Sequence, residues 1–285
     1  MKKKNQSRRT NSFLSTLIFI LIIVGITITV TRVMSNAEPL SKSFSQSVNQ
    51  NNRITATEPE LEFPLPLADR KEQIIRHTGY SVSYNVDWKI PNWVAYELTG
   101  TETQGYEKRK DRFTEDPLTE GSDATNSDYS HSGYDKGHMA PAADMRWSSN
   151  AMKESFYFSN VCPQYPQLNR GKWKILEEQI RDIAVQDSAI IIVCGPIVNI
   201  NHKTIGSNNV AVPEYFFKVI LSPYVSSPRA IGFIFKNENA TASVRQYAVS
   251  VDSIEKLTGM DFFSKLPDNI ENRIEATIDA SAWGL

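Results

Sequence analysis

One histidine, two asparagines and a glutamate occur in order over residues 138–177: His138, Asn160, Asn169 and Glu177, with Lys136 and Arg170 close by. A neutral imidazole accepts a proton from water near pH 7, which is what a phosphodiester-cleaving base must do. Magnesium keeps most of its waters and needs few protein ligands, so the amide oxygen of Asn169 plus a substrate phosphate would suffice to hold it. Glu177 lies eight residues beyond Asn169, on roughly the same side of a helix, where it could accept hydrogen bonds from metal-bound water. Asn160 ends an apolar run and needs partners for its amide, so orienting the histidine and contacting phosphate are both open to it. The set suits metal-assisted cleavage of a phosphodiester.

Each residue also has a plainer role. Asn169 could cap the helix that begins near Gly171, Glu177 could be a solvated surface carboxylate, and Asn160 could be a turn residue. Only four histidines occur, His77, His131, His138 and His202, and no HExxH pair exists for a zinc protease. Gly137 would let the backbone beside His138 approach a ligand closely. Arg109, Lys110, Arg112, Lys136 and Arg170 are candidate phosphate contacts, with Arg146 and Trp147 weaker ones. Charge runs are usually solvated faces, and Lys136 and Arg170 stand out because they flank the two motif centres. Cys162 and Cys194 lack zinc spacing and read as two buried free thiols rather than a bridge.

The elements that must carry these residues alternate between strand and helix signals. Strands are expected at 79–85, 92–98, 156–161, 189–194, 215–221 and 230–235, and helices at 172–184, 251–257 and 267–276, with Gly259 ending the second. Residues 102–134 are polar and aperiodic and read as a long functional or flexible excursion. The expected fold class is α+β, a single domain around a central, mainly antiparallel sheet flanked by helices.

Residues 13–33 are almost wholly apolar and follow a basic tail at 1–12, as expected of a transmembrane signal anchor whose N-terminus stays cytoplasmic. Ser35-Asn36-Ala37 offers an alternative, cleavage and secretion. Either way the remainder is expected outside the cytoplasmic membrane. Residues 34–66, rich in Ser, Asn, Gln, Glu and Pro, read as a flexible linker, with order beginning near Leu67. Residues 67–285 carry a net charge of −5. That weighs against a protein coating nucleic acid through bulk charge, but not against an enzyme with a local basic groove.

The segment DKGHMAPAAD at 135–144 resembles the DRGH motif of the DNA/RNA non-specific endonucleases, the ββα-metal nuclease family. The similarity continues through SN-x-x-PQ at 159–164, LN-x-G-x-W at 168–173, LE at 176–177, Gly195-Pro196 and VDSIEKLTGMDFFSKLP at 251–267. The resemblance implies a ββα-metal fold over residues 67–285. It implies His138 as general base, Asn169 as Mg²⁺ ligand (Mn²⁺ being possible), Glu177 on the metal's water shell and Asn160 as a positioning amide. An arginine before the motif, Arg109 or Arg112, would contact phosphate. Lys136 stands where the family usually has arginine and loses the bidentate fork. DNA and RNA are the implied substrates, cut without sequence preference to 5′-phosphate ends. A membrane-tethered receptor that takes up DNA without cutting it is the competing reading.

Overall fold

A computed structural model describes residues 60–121 and 123–284. Strands β1 (Gln73–Arg76), β2 (Ser81–Asn85) and β3 (Ile90–Thr99) open the chain. β4 (Asp135–His138) and β5 (Val161–Gln164) form a separate antiparallel ribbon. β6 (Ala189–Ile197) returns beside β3, and β7 (Thr204–Ile205) pairs with β8 (Val210–Ala211). β9 (Tyr215–Ser222), β10 (Arg229–Lys236) and β11 (Ala248–Val249) complete a seven-stranded sheet ordered β1-β2-β3-β6-β9-β10-β11. Every neighbouring pair in it is antiparallel.

The α-helices are α1 (Asn126–Tyr129), α2 (Ser149–Glu154), α3 (Lys174–Asp187), α4 (Val251–Thr258) and α5 (Asp268–Glu275). The middle of the sheet is covered on both faces, which is why β6 is apolar at successive positions instead of alternating. Its Ile190, Ile192 and Cys194 join the cluster containing Leu176, Ile180 and Ile183 of α3. Ile191 and Val193 join the opposite cluster, with Val251 and Ile254 of α4 and Ile270 and Ile274 of α5. Gly259 takes the left-handed conformation (φ 72°) that ends α4, as the sequence indicates.

Three expectations change. The strand expected at 156–161 is instead a 3-10 turn at Phe158–Asn160 leading into β5. The backbone N–H of Phe158 donates to the Thr114 carbonyl at 3.0 Å, within an isolated parallel bridge between Thr114 and Tyr157 that extends no further. Residues 102–134 are tied down by buried aspartates. Asp116 accepts from Ser159 at 2.5 Å and meets His77 Nε2 at 2.8 Å, while Asp128 accepts from the Asn208 side chain at 2.8 Å. A polar composition conceals this because each carboxylate spends its oxygens inside the fold. Finally, residues assigned to the linker belong to the folded body: Leu61 is buried in the second cluster, and the Phe63 ring packs on Trp93 at 5.4 Å, tilted by 54°. The expected anchor at 13–33 and residues 34–59 of the linker lie outside the described residues. Among the described residues, no helix is long and apolar enough to cross a membrane.

The packing of Leu61 predicts that Leu61→Ala costs about 2–3 kcal/mol in urea unfolding. A residue in a loose linker would give no measurable change.

Candidate active site

β4 alternates its side chains across the ribbon, so Lys136 and His138 share one face and Asp135 and Gly137 the other. The first face receives Phe113. Its ring lies 5.1 Å from the His138 imidazole, and Phe156 meets the imidazole edge-on at 5.0 Å. Lys136 Nζ stands 4.7 Å from the Phe113 centroid and donates to Asn126 Oδ1 at 2.7 Å. The His138 residue is only 9% exposed, and neither ring nitrogen has a hydrogen-bond partner among the described residues. Burial, helped by the charge of Arg109 and opposed by Asp111, holds its imidazole at about 3. The ring is therefore neutral at pH 7.

Asp135, on the other face, organises the metal-ligand candidate. Its Oδ2 accepts from Asn169 Nδ2 at 2.9 Å. A carboxylate only accepts, so the amide must turn its NH₂ toward Asp135 and leave Oδ1 unused. The same carboxylate takes a two-pronged ion pair from Arg170 at 2.7 and 2.6 Å. Asn169 is not a helix cap. It sits in a π-helical turn, Leu168–Trp173, which Gly171 interrupts with non-helical angles before α3 begins at Lys174. A free amide oxygen on a pinned side chain fits a hard, water-rich cation such as Mg²⁺.

The peptide units after His138 are clamped. Asn160, fully buried, accepts from Ala140 N–H and donates to the Ala140 and Ser155 carbonyls, all at 2.8 Å. Its amide is spent inside the fold, on the backbone two residues beyond His138 and on Ser155, and no donor is left over for a phosphate. The Met139 carbonyl accepts from Cys194 Sγ at 3.2 Å and from Lys218 Nζ at 3.5 Å. Gly137 also differs from expectation: a Cβ there would overlap the Gln164 side chain, so its glycine serves ribbon packing rather than ligand approach.

Glu177 points inward from α3, not to solvent. Its Oε1 lies 4.0 Å from Lys218 Nζ, and its side chain is 12% exposed. Burial, offset by Lys218 and reinforced by Asp144, pushes its carboxyl up to about 7. Lys218 is wholly buried on β9 and rests 4.6 Å from the Trp173 ring. Asp144, also buried, accepts from Tyr96 Oη and Arg181, both at 2.8 Å. The sequence reading passes over Lys218, Asp144 and Arg181, although a lone lysine within YFFKVILS was a usable signal, since buried charges need partners. Cys162 and Cys194 are both buried and unbridged.

The two competing arginines separate. Arg109 lies 5.1 Å from the Phe156 ring centroid, pairs with Asp111 and acts electrostatically on His138. Arg112 is exposed and makes no hydrogen bond or ion pair among the described residues. Arg170 has its guanidinium engaged by Asp135 but stays 73% exposed. It lines an open depression with Gln167, Lys172 and Asn239.

The sequence and the architecture have counterparts. The family profile for DNA/RNA non-specific endonucleases matches residues 63–269. Mitochondrial nuclease EXOG of Mus musculus is 33% identical over 244 residues, covering 79% of this chain and 66% of the relative. The chain thus spans just under two thirds of that relative's length. Human mitochondrial endonuclease G is 31% identical over 205 residues, covering 67% of this chain and 69% of its own. A chain in the crystal structure of the EndoG/EndoGI complex, which concerns EndoG inhibition, superposes with a TM-score of 0.66 at 29% identity, covering 72% of this chain and 89% of that one. With a profile match over most of its length and a sheet that superposes on a solved relative, the chain belongs to the DNA/RNA non-specific endonuclease family.

Proposed function

We propose that the protein is a metal-dependent, largely sequence-non-specific endonuclease that hydrolyses phosphodiester bonds of DNA and RNA. The observation that carries this reading is the pairing of a neutral, clamped His138 with an Asn169 whose amide oxygen is kept free by Asp135. His138 takes a proton from the attacking water, and its fixed backbone restricts the imidazole to one approach. Asn169 Oδ1 would hold Mg²⁺, or Mn²⁺ in its place, which would supply positive charge to stabilise the transition state. Glu177, as a carboxylate, would accept hydrogen bonds from water bound to that metal. Arg109 and Lys136 add cations on the His138 side, and Arg170 with Lys172 offers a surface to the phosphate backbone. Products carry 5′-phosphate and 3′-hydroxyl ends.

On the sequence of residues 1–33 we further propose a membrane-anchored protein with this domain outside the cytoplasm. Protease added to intact cells would leave the domain untouched if that is wrong.

In plasmid digestion with Mg²⁺, His138→Ala is expected to lower the rate about 10³-fold with DNA affinity kept. Asn169→Ala is expected to abolish the response to metal. Wild-type rates from both would end the assignment, and metal-insensitive DNA retention without cutting would favour the receptor. Arg109→Ala should cost about 10²-fold in kcat/KM, while Arg112→Ala stays within a factor of about two; the reverse order would move the phosphate contact to Arg112. The raised carboxyl of Glu177 gains a proton, and loses its charge, as pH falls through about 7. The metal concentration for half-maximal rate should therefore rise on acidification, and Glu177→Gln should flatten that dependence. An unchanged pH profile in the variant would remove Glu177 from the water shell.

A further inference from the structure

The segment 251–267 belongs to the recurring motif series yet supplies no residue to the site around His138 and Asn169. It supplies part of a second constellation. Asp252 and Glu255 lie one turn apart on α4, and Glu275 is the last residue of α5. One carboxylate oxygen from each lies within 4.8 Å of the other two. Glu275 is 5% exposed, and its Oε1 is sealed from solvent with no hydrogen-bond partner. Burial, with the charges of Glu255, Glu271, Asp252 and Asp261, pushes its carboxyl up to about 9. A carboxyl buried at the negative end of a helix, facing other carboxylates, must give up its charge unless a cation balances it.

We propose that Asp252, Glu255 and Glu275 form a second divalent-cation site, for Ca²⁺, that ties α4 to α5. Glu255 Oε1 already accepts from Phe262 N–H at 2.9 Å, leaving Oε2 for the ion. Carboxylate oxygens alone suit a hard cation, and Ca²⁺, which takes six to eight oxygen ligands in flexible geometry, accepts three ligands drawn from two helices more readily than Mg²⁺, which demands a near-ideal octahedron. Both helices are already seated on the sheet through Val251, Ile254, Ile270 and Ile274. The ion therefore meets ligands held in place by the core, and its binding energy appears as stability of the folded state.

The test is calorimetric titration of Ca²⁺ into the chelator-stripped full chain carrying Asn169→Ala, which removes the proposed catalytic ligand. One Ca²⁺ should bind and raise the melting midpoint by about 5 °C at a hundredfold excess over Kd. Adding Asp252→Asn or Glu275→Gln should abolish both signals. Glu275→Gln replaces a carboxyl that is already protonated in the metal-free protein with a neutral group of the same shape, so its metal-free form should melt no lower than the parent and the lost response remains readable. Mg²⁺ should bind at least about tenfold more weakly. No binding of Ca²⁺, binding that survives both substitutions, or equal affinity for Mg²⁺ would each overturn the proposal. None of these outcomes bears on the nuclease reading.

Discussion

The carboxylate of Asp135 is the point on which the geometry of the candidate site turns. It joins the β4 edge to the π-helical turn by accepting from Asn169 and Arg170 together. Because it can only accept, it fixes which end of the Asn169 amide faces outward, and so makes that side chain an oxygen donor. It also takes up the guanidinium nearest to Asn169, leaving the amide oxygen without a competing cation partner. A neutral residue at 135 would leave both the amide orientation and the seat of the turn undetermined.

The imidazole depends on a second constraint, the absence of freedom in the chain after it. Asn160, Cys194 and Lys218 between them hold the carbonyls of Met139 and Ala140. Lys218 also faces Glu177, so one buried cation links the histidine's backbone to the helix that follows Asn169. Burying such a pair is expensive, and breaking it from one side costs about 3–5 kcal/mol. A role in holding two elements in register accounts for keeping it better than stability does.

The two faces of the sheet do different work. The face covered by α3 carries the ribbon, the π-helical turn and the clamped histidine. The face covered by α4 and α5 gathers carboxylates around Glu275. Both locations place ionisable groups where water is scarce, so each charge is governed by the few groups that face it rather than by the chain's near-neutral total.

Much of this was readable from residue order alone. The apolar run in β6 and the Gly259 stop could be placed because periodicity and capping preference are properties of neighbouring residues. Family membership followed from the same order. Which way a side chain turns was not readable. Asn160 went inward to clamp a backbone, Asn169 left its helix-capping option for an aspartate 34 residues earlier, and Glu177 left solvent for a lysine on a distant strand. Arg109 was separated from Arg112 by a phenylalanine beyond the ribbon, and Leu61 joined the body by packing on the far face of β3. Sequence fixes which chemical groups are available and their local spacing; partners distant along the chain, met only after the sheet is assembled, decide which of those groups remain free to react.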